Sequence, residues 1–273
     1  MPHVLHMTAT PIPRSLALTL YGELDISVID EMPPGRKAIE TMIISPNSRK
    51  QLYEKIDKEL AAGRQMFLVC PLILDSETSA GLSVEEVYKR ISEKDFKHRK
   101  VGLLHGKLKS AEKDEVMQKF INCDYDILVS TTVIEVGVDV PNASIMLIEG
   151  PERFGLAQIH QLRGRVGRGA HQSYCYLVMS DSKAPLQRLQ ALENTNDGFQ
   201  LAELDLKLRG PGAIYGTMQH GALDLRVANL TDIKLIAAAR GAAQQFIEKG
   251  EKLSKYPHLS TRVTSLRAVT NLN

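Results

Sequence analysis

The residues best suited to chemistry form one short run in which arginines alternate with glycines. Between Gln161 and Gly169, three arginines (Arg163, Arg165 and Arg168) fall within six residues. Glycine allows tight backbone turns, and a guanidinium group is a rigid fork that matches phosphate oxygens. Two arginines on one turn can stabilise charge on a phosphoryl group during its transfer. The run therefore favours phosphate contact over the alternative, a solvated basic loop.

A second segment, Ser130–Pro141, presents hydroxyl and carboxylate groups directly after an apolar strand-like run. Thr131 and Thr132 are short hydrogen-bond donors suited to a phosphodiester. Asp139 could bind a ribose hydroxyl or position a metal-bound water. The alternative interpretation is that Asp139 and Glu135 are acidic residues on the surface of a helix.

A third segment, Thr8–Arg14, is a turn of small residues that includes Thr8 and Thr10. We expect a buried strand before it at Val4–Met7 and a second short strand at Ile26–Ile29. On its own, the segment is equally typical of a capped helix start with proline in the first turn.

Six apolar runs alternate with helical segments between Ala38 and Ser180. Helix signals between the runs include Ser45-Pro46 with Gly63 at the end, a capping-box spacing at Ser83–Glu86, and Ser110 as a cap for 111–120. This alternation predicts an α/β fold: a parallel sheet covered by helices on both faces, with chemistry in the loops at the carboxyl ends of the strands. The predicted strands are Ile39–Ile44, Met66–Cys70, Val101–Leu104, Ile127–Val129, Ile145–Ile148 and Tyr174–Val178.

Beyond Asp181 the sequence predicts a mostly helical extension. Leu186–Leu192 and Phe199–Leu208 fit a helical hairpin, and apolar residues at helical spacing predict a long amphipathic helix over Asn229–Lys249. From Arg240 onwards the sequence contains six Lys and Arg residues but only two Glu residues. This excess is more typical of a solvated tail than of a nucleic-acid contact.

Composition excludes several classes of protein. The 273 residues are 43% hydrophobic and 24% charged, which is typical of a globular chain. We expect no membrane span, because no run of about 18 apolar residues occurs. Cys70, Cys123 and Cys175 lie far apart and predict reduced thiols in place of a disulfide framework. The balance of 34 basic against 32 acidic side chains argues neither for nor against a nucleic-acid partner.

In their order along the chain, the three segments resemble the later conserved motifs of superfamily 2 helicases. Thr8–Thr10 resembles motif III, Ser130–Pro141 motif V, and Gln161–Arg168 motif VI. The resemblance is closer still to the RecG family of bacterial branch-migration helicases, and it covers essentially the whole chain. It is carried by Thr8–Arg14, Tyr21–Leu24, Met32–Arg36, His160–Gly169, Asp205–Gly212 and Gly216–Gln219.

The transcription-repair coupling translocases are the alternative family, since they are similar in the helicase motifs and the glycine-rich segment. The Pro-Pro-Gly-Arg linker at 33–36 and Arg-Gly-Pro-Gly at 209–212 favour the RecG family. An alternative of another class is a nucleic-acid-binding module with no ATPase activity of its own.

The resemblance implies an ATP-dependent double-stranded DNA translocase that remodels stalled forks and Holliday junctions in recombination and repair. Its cofactors are ATP and Mg²⁺, held mainly by a first RecA-like motor domain. This sequence contains no GxxxxGK[ST] loop and no DExH-type motif. We therefore expect a C-terminal part that starts at motif III, lacks the wedge domain and most of the first motor domain, and is inactive alone.

The expected division has four parts. Residues 1–31 would be a remnant of the first motor domain and 32–37 a linker. Residues 38–182 would be the second RecA-like domain, and 183–273 the translocation hairpin with a helical extension. The expected partners are branched or duplex DNA, the wedge and first motor domain, and single-stranded DNA-binding protein. The expected location is cytoplasmic.

The resemblance also implies roles for individual residues. Arg165 and Arg168 would be catalytic contacts to the ATP phosphates, and no protein ligand to a metal is expected. The nucleotide would be bound by Gln161, Gly137 and Asp139. DNA contact or translocation coupling would involve Thr131, Thr132, Thr8, Thr10, Arg188, Arg209 and Gln219.

Overall fold

A computed structural model describes residues 4–5, 7–8, 27, 29, 37–71, 83–132, 139–181, 186–209 and 233–270. These residues belong to two compact units. The first takes in the described residues of 1–11 and 29–205, and the second takes in Ser27 and the described residues from Leu206 onwards.

The first unit is built on one six-stranded sheet in which every strand pair is parallel. The strands lie in the order β1-β6-β5-β2-β4-β3. The predicted α/β fold with a parallel sheet is thus confirmed. The strands are β1 (Glu40–Ile44), β2 (Gln65–Val69), β3 (Val101–Leu104), β4 (Ile127–Ser130), β5 (Ala143–Glu149) and β6 (Tyr174–Val178).

Helices connect the strands and continue beyond the sheet. The last two belong to the second unit, where the rings of Phe246 and Tyr256 pack with their centroids 5.4 Å apart. The helices are α1 (Arg49–Ala61), α2 (Val84–Arg90), α3 (Ser110–Ile121), α4 (Leu156–Arg163), α5 (Gln187–Asn194), α6 (Gly198–Arg209), α7 (Ile233–Glu248) and α8 (Pro257–Thr270). In the described part of the chain, no helix is long and apolar enough to cross a membrane.

The sheet divides the core of the first unit into two layers because alternate residues of a strand point to opposite faces. Met66 and Leu68 of β2 pack on one face with Ile56 of α1. Phe67 and Val69 face the other side, where the buried residues of α4 and α5 lie. Central strands buried on both faces explain why their sequences read as continuous apolar runs.

Local sequence signals fix several helix ends. Ser83 and Glu86 form the predicted capping box, with reciprocal bonds of 3.2 and 2.7 Å between side chains and backbone N–H groups. Gly63 follows α1 with φ of +82°, the left-handed conformation that ends helices. The Ser110 prediction is wrong by one residue. Lys109 occupies the N-cap position in extended conformation, and its N–H donates to Glu112.

The buried strand predicted at Val4–Met7 does not form. The described residues there, Val4, Leu5 and Met7, lie outside regular structure and are 70, 80 and 86% exposed. A strand is stabilised by side-chain pairs with the strands beside it. No strand in the described part of this chain pairs with these residues. At the second expected strand, Ser27 and Ile29 are likewise irregular, and Ile29 is 89% exposed.

Candidate functional site

The arginine-rich run forms the C-terminal end of α4 and the tight turn that follows it. Gly164 caps the helix, and its N–H donates to the His160 carbonyl. Gly167 has φ of +77°, and a Cβ there would lie 3.0 Å from Ile39. A Cβ on Gly169 would lie 2.5 Å from the Pro141 carbonyl oxygen. The glycines are therefore needed for the turn to approach the residues that precede β1 and β5.

Two of the predicted nucleotide contacts meet at this turn. The Arg168 Nε lies 3.5 Å from an Asp139 carboxylate oxygen. The side chains remain 35 and 54% exposed, respectively. The same Nε donates to the Gly164 carbonyl at 3.4 Å. The neighbouring Arg165 is half-buried. The run thus presents an accessible guanidinium next to a carboxylate, an arrangement that can bind an anion and a hydroxyl side by side.

The third arginine of the run, Arg163, points into the protein and is only 2% exposed. It donates to the carbonyls of Leu192 at 2.8 Å and Thr195 at 3.2 Å. It also donates to the Thr41 hydroxyl at 3.3 Å. These acceptors lie at the C-terminal end of α5 and on β1. Sequence reasoning missed this role, although the signal was available.

His160 completes the surroundings of Arg163. One guanidinium nitrogen of Arg163 lies 3.0 Å from His160 Nδ1. Burial and, secondly, the positive charge of Arg163 together lower the pKa of His160 to about 4, against a smaller opposing effect of Asp197. At neutral pH the imidazole is therefore uncharged, and its Nδ1 can accept the hydrogen bond from the guanidinium.

The predicted site residues lie at two opposite edges of the sheet. The loop 139–142 and the arginine turn adjoin the starts of β2, β5 and β6, which we call the amino edge. Thr131 and Thr132 follow β4 at the carboxyl edge, where the strands end. A four-residue strand separates the two edges by roughly 13 Å. The arginines and Asp139 therefore do not lie at the carboxyl ends as expected: Asp139 comes shortly before the start of β5, and α4 returns the chain to the amino edge before the arginine turn.

Thr131 is buried at the carboxyl edge. It is 4% exposed, and its N–H donates to the Leu104 carbonyl at the end of the neighbouring β3. Within the described residues, its hydroxyl has no hydrogen-bond partner. Thr132 beside it is half-buried. The Thr131 hydroxyl is closed to solvent, so a ligand oxygen can reach it only if the residues that cover it move.

A polar network holds the loop that carries Asp139. The buried Gln65 at the start of β2 donates to the carbonyls of Phe120 and Tyr125 at 2.6 and 2.7 Å. Its Oε1 accepts from Asn142 at 3.1 Å, and Asn142 also donates to the Gly63 carbonyl. The sequence offers no motif that singles out Gln65 or Asn142, since their partners are backbone groups far away in sequence.

The predicted helical hairpin forms from α5 and α6. Arg188 at the start of α5 donates to the carbonyls of Glu152 and Phe154 at 2.9 and 2.8 Å, just before α4 begins. It also lies 3.8 Å from the carboxylate of Asp205 on α6. Arg188 therefore ties both helices of the hairpin to the segment that leads into α4.

The structure gives less detail for the remaining predicted site residues. Gln161 is half-buried on α4, and Thr8 lies in exposed, irregular backbone. Arg209 is the last residue of α6, but its side chain is outside the described part. Three predicted residues lie outside the described residues altogether: Thr10, Gly137 and Gln219.

Two family models match the chain. Residues 47–170 match the helicase conserved C-terminal domain, and residues 195–271 match the C-terminal part of domain 3 of the ATP-dependent DNA helicase RecG. The first match spans the arginine turn, Asp139 and both threonines of the carboxyl edge. The second spans α6, α7 and α8.

Two bacterial RecG proteins are similar to the chain over more than nine-tenths of its length. The chain is 52% identical over 264 residues to ATP-dependent DNA helicase RecG of Synechocystis sp., covering 96% of this chain and 32% of that protein. It is 50% identical over 255 residues to RecG of Thermotoga maritima, covering 93% of this chain and 33% of that protein. The chain therefore spans about a third of the length of the curated relatives it matches.

A solved structure gives the same result in three dimensions. The structure of RecG bound to a three-way DNA junction matches with a TM-score of 0.66 and 51% sequence identity. The match covers 84% of this chain and 30% of that one. The resemblance to RecG inferred from the sequence is thus confirmed, together with the fold class.

Proposed function

We propose that this chain, a member of the RecG family of ATP-dependent DNA helicases, is the C-terminal motor and translocation portion of a double-stranded DNA translocase. The complete enzyme would use ATP to remodel branched DNA, namely stalled forks and Holliday junctions. The observation that carries the proposal is the meeting of Arg168 and Asp139 on the turn that corresponds to the helicase motif.

The amino edge would supply half of the ATP site. Arg165 and Arg168 would contact the phosphates, and Asp139 would accept a hydrogen bond from a ribose hydroxyl. Gln161 and Gly137 would complete the nucleotide contacts. The pair of Arg168 and Asp139 supports this role because both side chains are partly exposed, so the guanidinium can turn to an incoming phosphate at little cost.

Mg²⁺ would accompany ATP in the complete enzyme. Among the described residues, no three His, Cys, Asp or Glu side chains come together to hold a metal ion. Asp139 pairs with Arg168 of the arginine turn.

The carboxyl edge would face DNA. The half-buried Thr132 would contact a phosphodiester oxygen directly, and the buried Thr131 hydroxyl, which lacks a partner within the described residues, would do so once its cover is displaced. Thr8 and Thr10 would add short hydroxyl donors of the same type. ATP and DNA would then bind at opposite edges of one rigid sheet, so that movement of the sheet on ATP binding is transmitted to the DNA.

The hairpin would convert that movement into translocation. Arg188 holds α5 and α6 to the segment before α4, and Arg209 stands at the end of α6. Arg209 and Gln219 would couple closure around ATP to displacement of the duplex. The glycines between them would allow the backbone of that loop to change conformation.

The proposal extends to partners, location and domain division. The other half of the ATP site would come from a first motor domain, and a wedge domain would engage the branch point. Single-stranded DNA-binding protein would be a further partner, and the site of action would be the cytoplasm. We retain the division into 1–31, 32–37, 38–182 and 183–273 as part of this proposal.

The test is to assay the full-length protein for ATP hydrolysis on a three-way junction, on linear duplex and on no DNA. We expect hydrolysis to rise most on the junction, and the junction to be unwound only when ATP is present. Hydrolysis that does not respond to DNA, or junction binding without ATP-dependent unwinding, would contradict the proposal. The second result would favour a module that only binds nucleic acid.

A further inference from the structure

The loop that carries Asp139 ends in a tight turn at the amino edge. The Ala143 N–H donates to the Val140 carbonyl at 3.0 Å, which closes a β-turn with Pro141 and Asn142 at its central positions. Proline favours the second position of such a turn because its φ is already fixed. Asp139 directly precedes the turn, so the position of its carboxylate depends on where the turn is held.

The sheet constrains this turn less than it constrains an ordinary strand end. Gln65 of β2 pairs with Ala143, whereas the next residue, Met66, pairs with Ile145. Ser144 is therefore an extra residue in β5, and such a bulge interrupts the regular ladder of backbone hydrogen bonds. Because the ladder is interrupted, side-chain contacts contribute more to the position of the residues that precede the bulge.

The side-chain amide of Asn142 holds the turn to the start of β2. Its Nδ2 donates to the Gly63 carbonyl at 2.9 Å and to Gln65 Oε1 at 3.1 Å. The Asn142 carbonyl in turn accepts the Gln65 N–H at 3.2 Å. Since both partners of Nδ2 are acceptor oxygens, the contact requires an amide nitrogen at this position and not merely a side chain of the same size.

Gln65 is a rigid partner for this amide. It is 2% exposed, and its Nε2 donates to the carbonyls of Phe120 and Tyr125 at 2.6 and 2.7 Å. Its Oε1 accepts from Asn142 and from the Cys123 thiol, whose Sγ lies 3.6 Å away. A glutamine amide has two donor hydrogens and an oxygen that accepts two bonds, and all of these are used here. Gln65 therefore cannot turn away from Asn142 without leaving buried groups unpaired.

The arginine turn contacts the same segment. A Cβ on Gly169 would lie 2.5 Å from the Pro141 carbonyl oxygen, so the two backbones are already in close contact. The Arg168 Nε lies 3.5 Å from an Asp139 carboxylate oxygen. The turn 140–143 therefore joins the start of β2 to the residues assigned to ATP.

We propose that Asn142 is a positioning residue for the nucleotide: its amide, supported by Gln65, holds Asp139 where the carboxylate meets a ribose hydroxyl. Asn142 does not contact the nucleotide itself in this assignment. The role rests on the proposed function, because it assumes that Asp139 binds the ribose. Without the amide, the turn gains freedom and the ribose contact weakens, while the arginines stay in place at the end of α4.

The ribose hydroxyls provide a readout that separates positioning from stability. A nucleotide that lacks both of them, dideoxy-ATP, cannot make the Asp139 contact whether or not the turn is held. A substitution that acts through Asp139 therefore raises the KM for ATP but not the KM for dideoxy-ATP. A substitution that only lowers stability leaves the ratio of the two KM values unchanged, because the same folded molecules turn over both nucleotides.

The experiment uses the full-length protein as wild type, Asp139→Ala, Asn142→Ala, Asn142→Asp and a matched control, Arg99→Gln. Arg99 likewise donates to a side-chain oxygen and a backbone carbonyl, but both belong to Asp57 in α1 and not to the turn. Asn142 is half-buried, so its replacement does not open the core. The KM and kcat of DNA-stimulated hydrolysis are measured with each nucleotide, and the melting temperature is measured on the same preparations.

In wild type we expect a KM for dideoxy-ATP about tenfold above the KM for ATP, because a hydrogen bond to a charged group changes affinity by about that factor or more. Asp139→Ala should abolish the difference. Asn142→Ala and Asn142→Asp should each lower the ratio to about threefold or less through a higher KM for ATP, with kcat at saturating ATP within about threefold of wild type. Arg99→Gln should lower the melting temperature and keep the wild-type ratio.

A wild-type ratio in Asn142→Ala would overturn the proposal and leave an amide that only stabilises the fold. Asn142→Asp keeps the size of the side chain but lacks the amide donors, so it decides the question if Asn142→Ala does not fold; a wild-type ratio in this variant also overturns the proposal. An equal rise of both KM values would mean that Asn142 does not act through Asp139, with the same consequence.

Failure of the proposed function has a different signature. If wild type shows no DNA-stimulated hydrolysis, the chain is not part of a translocase of the proposed kind. If Asp139→Ala keeps the wild-type ratio, the assignment of Asp139 to the ribose is wrong, and the role of Asn142 falls with it. A working wild type and a responsive Asp139→Ala, combined with unaltered ratios in the Asn142 variants, reject only the positioning role.

Discussion

Replacing Arg168 with alanine should leave the stability of the protein nearly unchanged and abolish most of its ATP turnover. The structure gives the first half of this prediction. The Arg168 side chain is 35% exposed, and its ion pair with the 54% exposed Asp139 spans 3.5 Å. Such an exposed pair contributes at most about 1 kcal/mol to the free energy of unfolding. A change in melting temperature of a few degrees is the most we expect.

The second half follows from the assignment to phosphate. An arginine that stabilises charge on a transferring phosphoryl group contributes about 10³-fold or more to turnover. That factor corresponds to about 4 kcal/mol at the transition state. The functional loss should therefore exceed the loss of stability several-fold in free energy. This difference separates a chemical role from a structural one.

The assay is DNA-stimulated ATP hydrolysis by the full-length protein, with thermal unfolding measured on the same preparations. Arg64→Ala is the matched control, because Arg64 lies at the same amino edge and binds the ring of His171 at 2.8 Å. We expect the control to turn over normally. If Arg168→Ala keeps turnover within threefold of wild type, or loses DNA affinity in place of turnover, the assignment to phosphate is wrong.

Three further predictions follow from the same geometry. Residues 1–273 alone should show negligible DNA-stimulated ATP hydrolysis, since an ATP site shared by two domains needs both; turnover above a no-protein blank that is lost in Arg165→Ala would contradict this. Leu192→Ala should lower the free energy of unfolding by about 2–5 kcal/mol, because Leu192 of α5 is fully buried in the core cluster that includes the sheet residues Phe67 and Val69; chemical denaturation measures this, and a loss below about 1 kcal/mol would show that α5 is not packed as described. The pKa of His160 is lowered to about 4, mainly by burial and secondly by Arg163. The neutral imidazole therefore contributes its full stabilisation above about pH 6.5, and this contribution is progressively lost as the pH falls toward 4. Between pH 7 and 4.5 the wild type should therefore lose more unfolding free energy than His160→Gln, on the order of 1–3 kcal/mol after allowance for partial exposure, and parallel pH profiles would refute the burial of a neutral imidazole.

The elements of the first unit could be predicted from local patterns. Continuous apolar runs located all six strands to within two residues at each end, because strands buried on both faces have few polar positions. The capping box at Ser83–Glu86 also formed as predicted. Ser110 was displaced from its cap because Glu112 bonds to the N–H of Lys109, a competition that spacing alone does not resolve.

The placement of the site could be predicted only in part. From the sequence, both Arg168 and Asp139 are predicted to contact the nucleotide. The structure places the Arg168 Nε 3.5 Å from an Asp139 carboxylate oxygen. The edge of the sheet at which they meet depends on the non-local strand order and on the direction of α4, which runs back to the amino edge. No local motif encodes either feature. The loop support from Gln65 and Asn142 was missed for the same reason.

Arg163 is the residue that the sequence could have revealed. Leu156, Ile159 and Arg163 lie at positions i, i+3 and i+7 of α4 and therefore on one helix face. The first two are buried, so the third had to be buried as well and to satisfy its charge inside the protein. Grouping the three arginines as one phosphate-binding run hid this periodicity.

The most direct test of the central claim is the number of base pairs unwound per ATP by the full-length protein and by Arg209→Ala and Gln219→Ala. In the proposed mechanism, closure around ATP and movement of DNA are separate events joined by the segment after α6. We therefore expect both variants to keep DNA-stimulated hydrolysis within about threefold of wild type while the ratio on a three-way junction falls about tenfold or more. A ratio equal to that of wild type in both well-folded variants would contradict this mechanism.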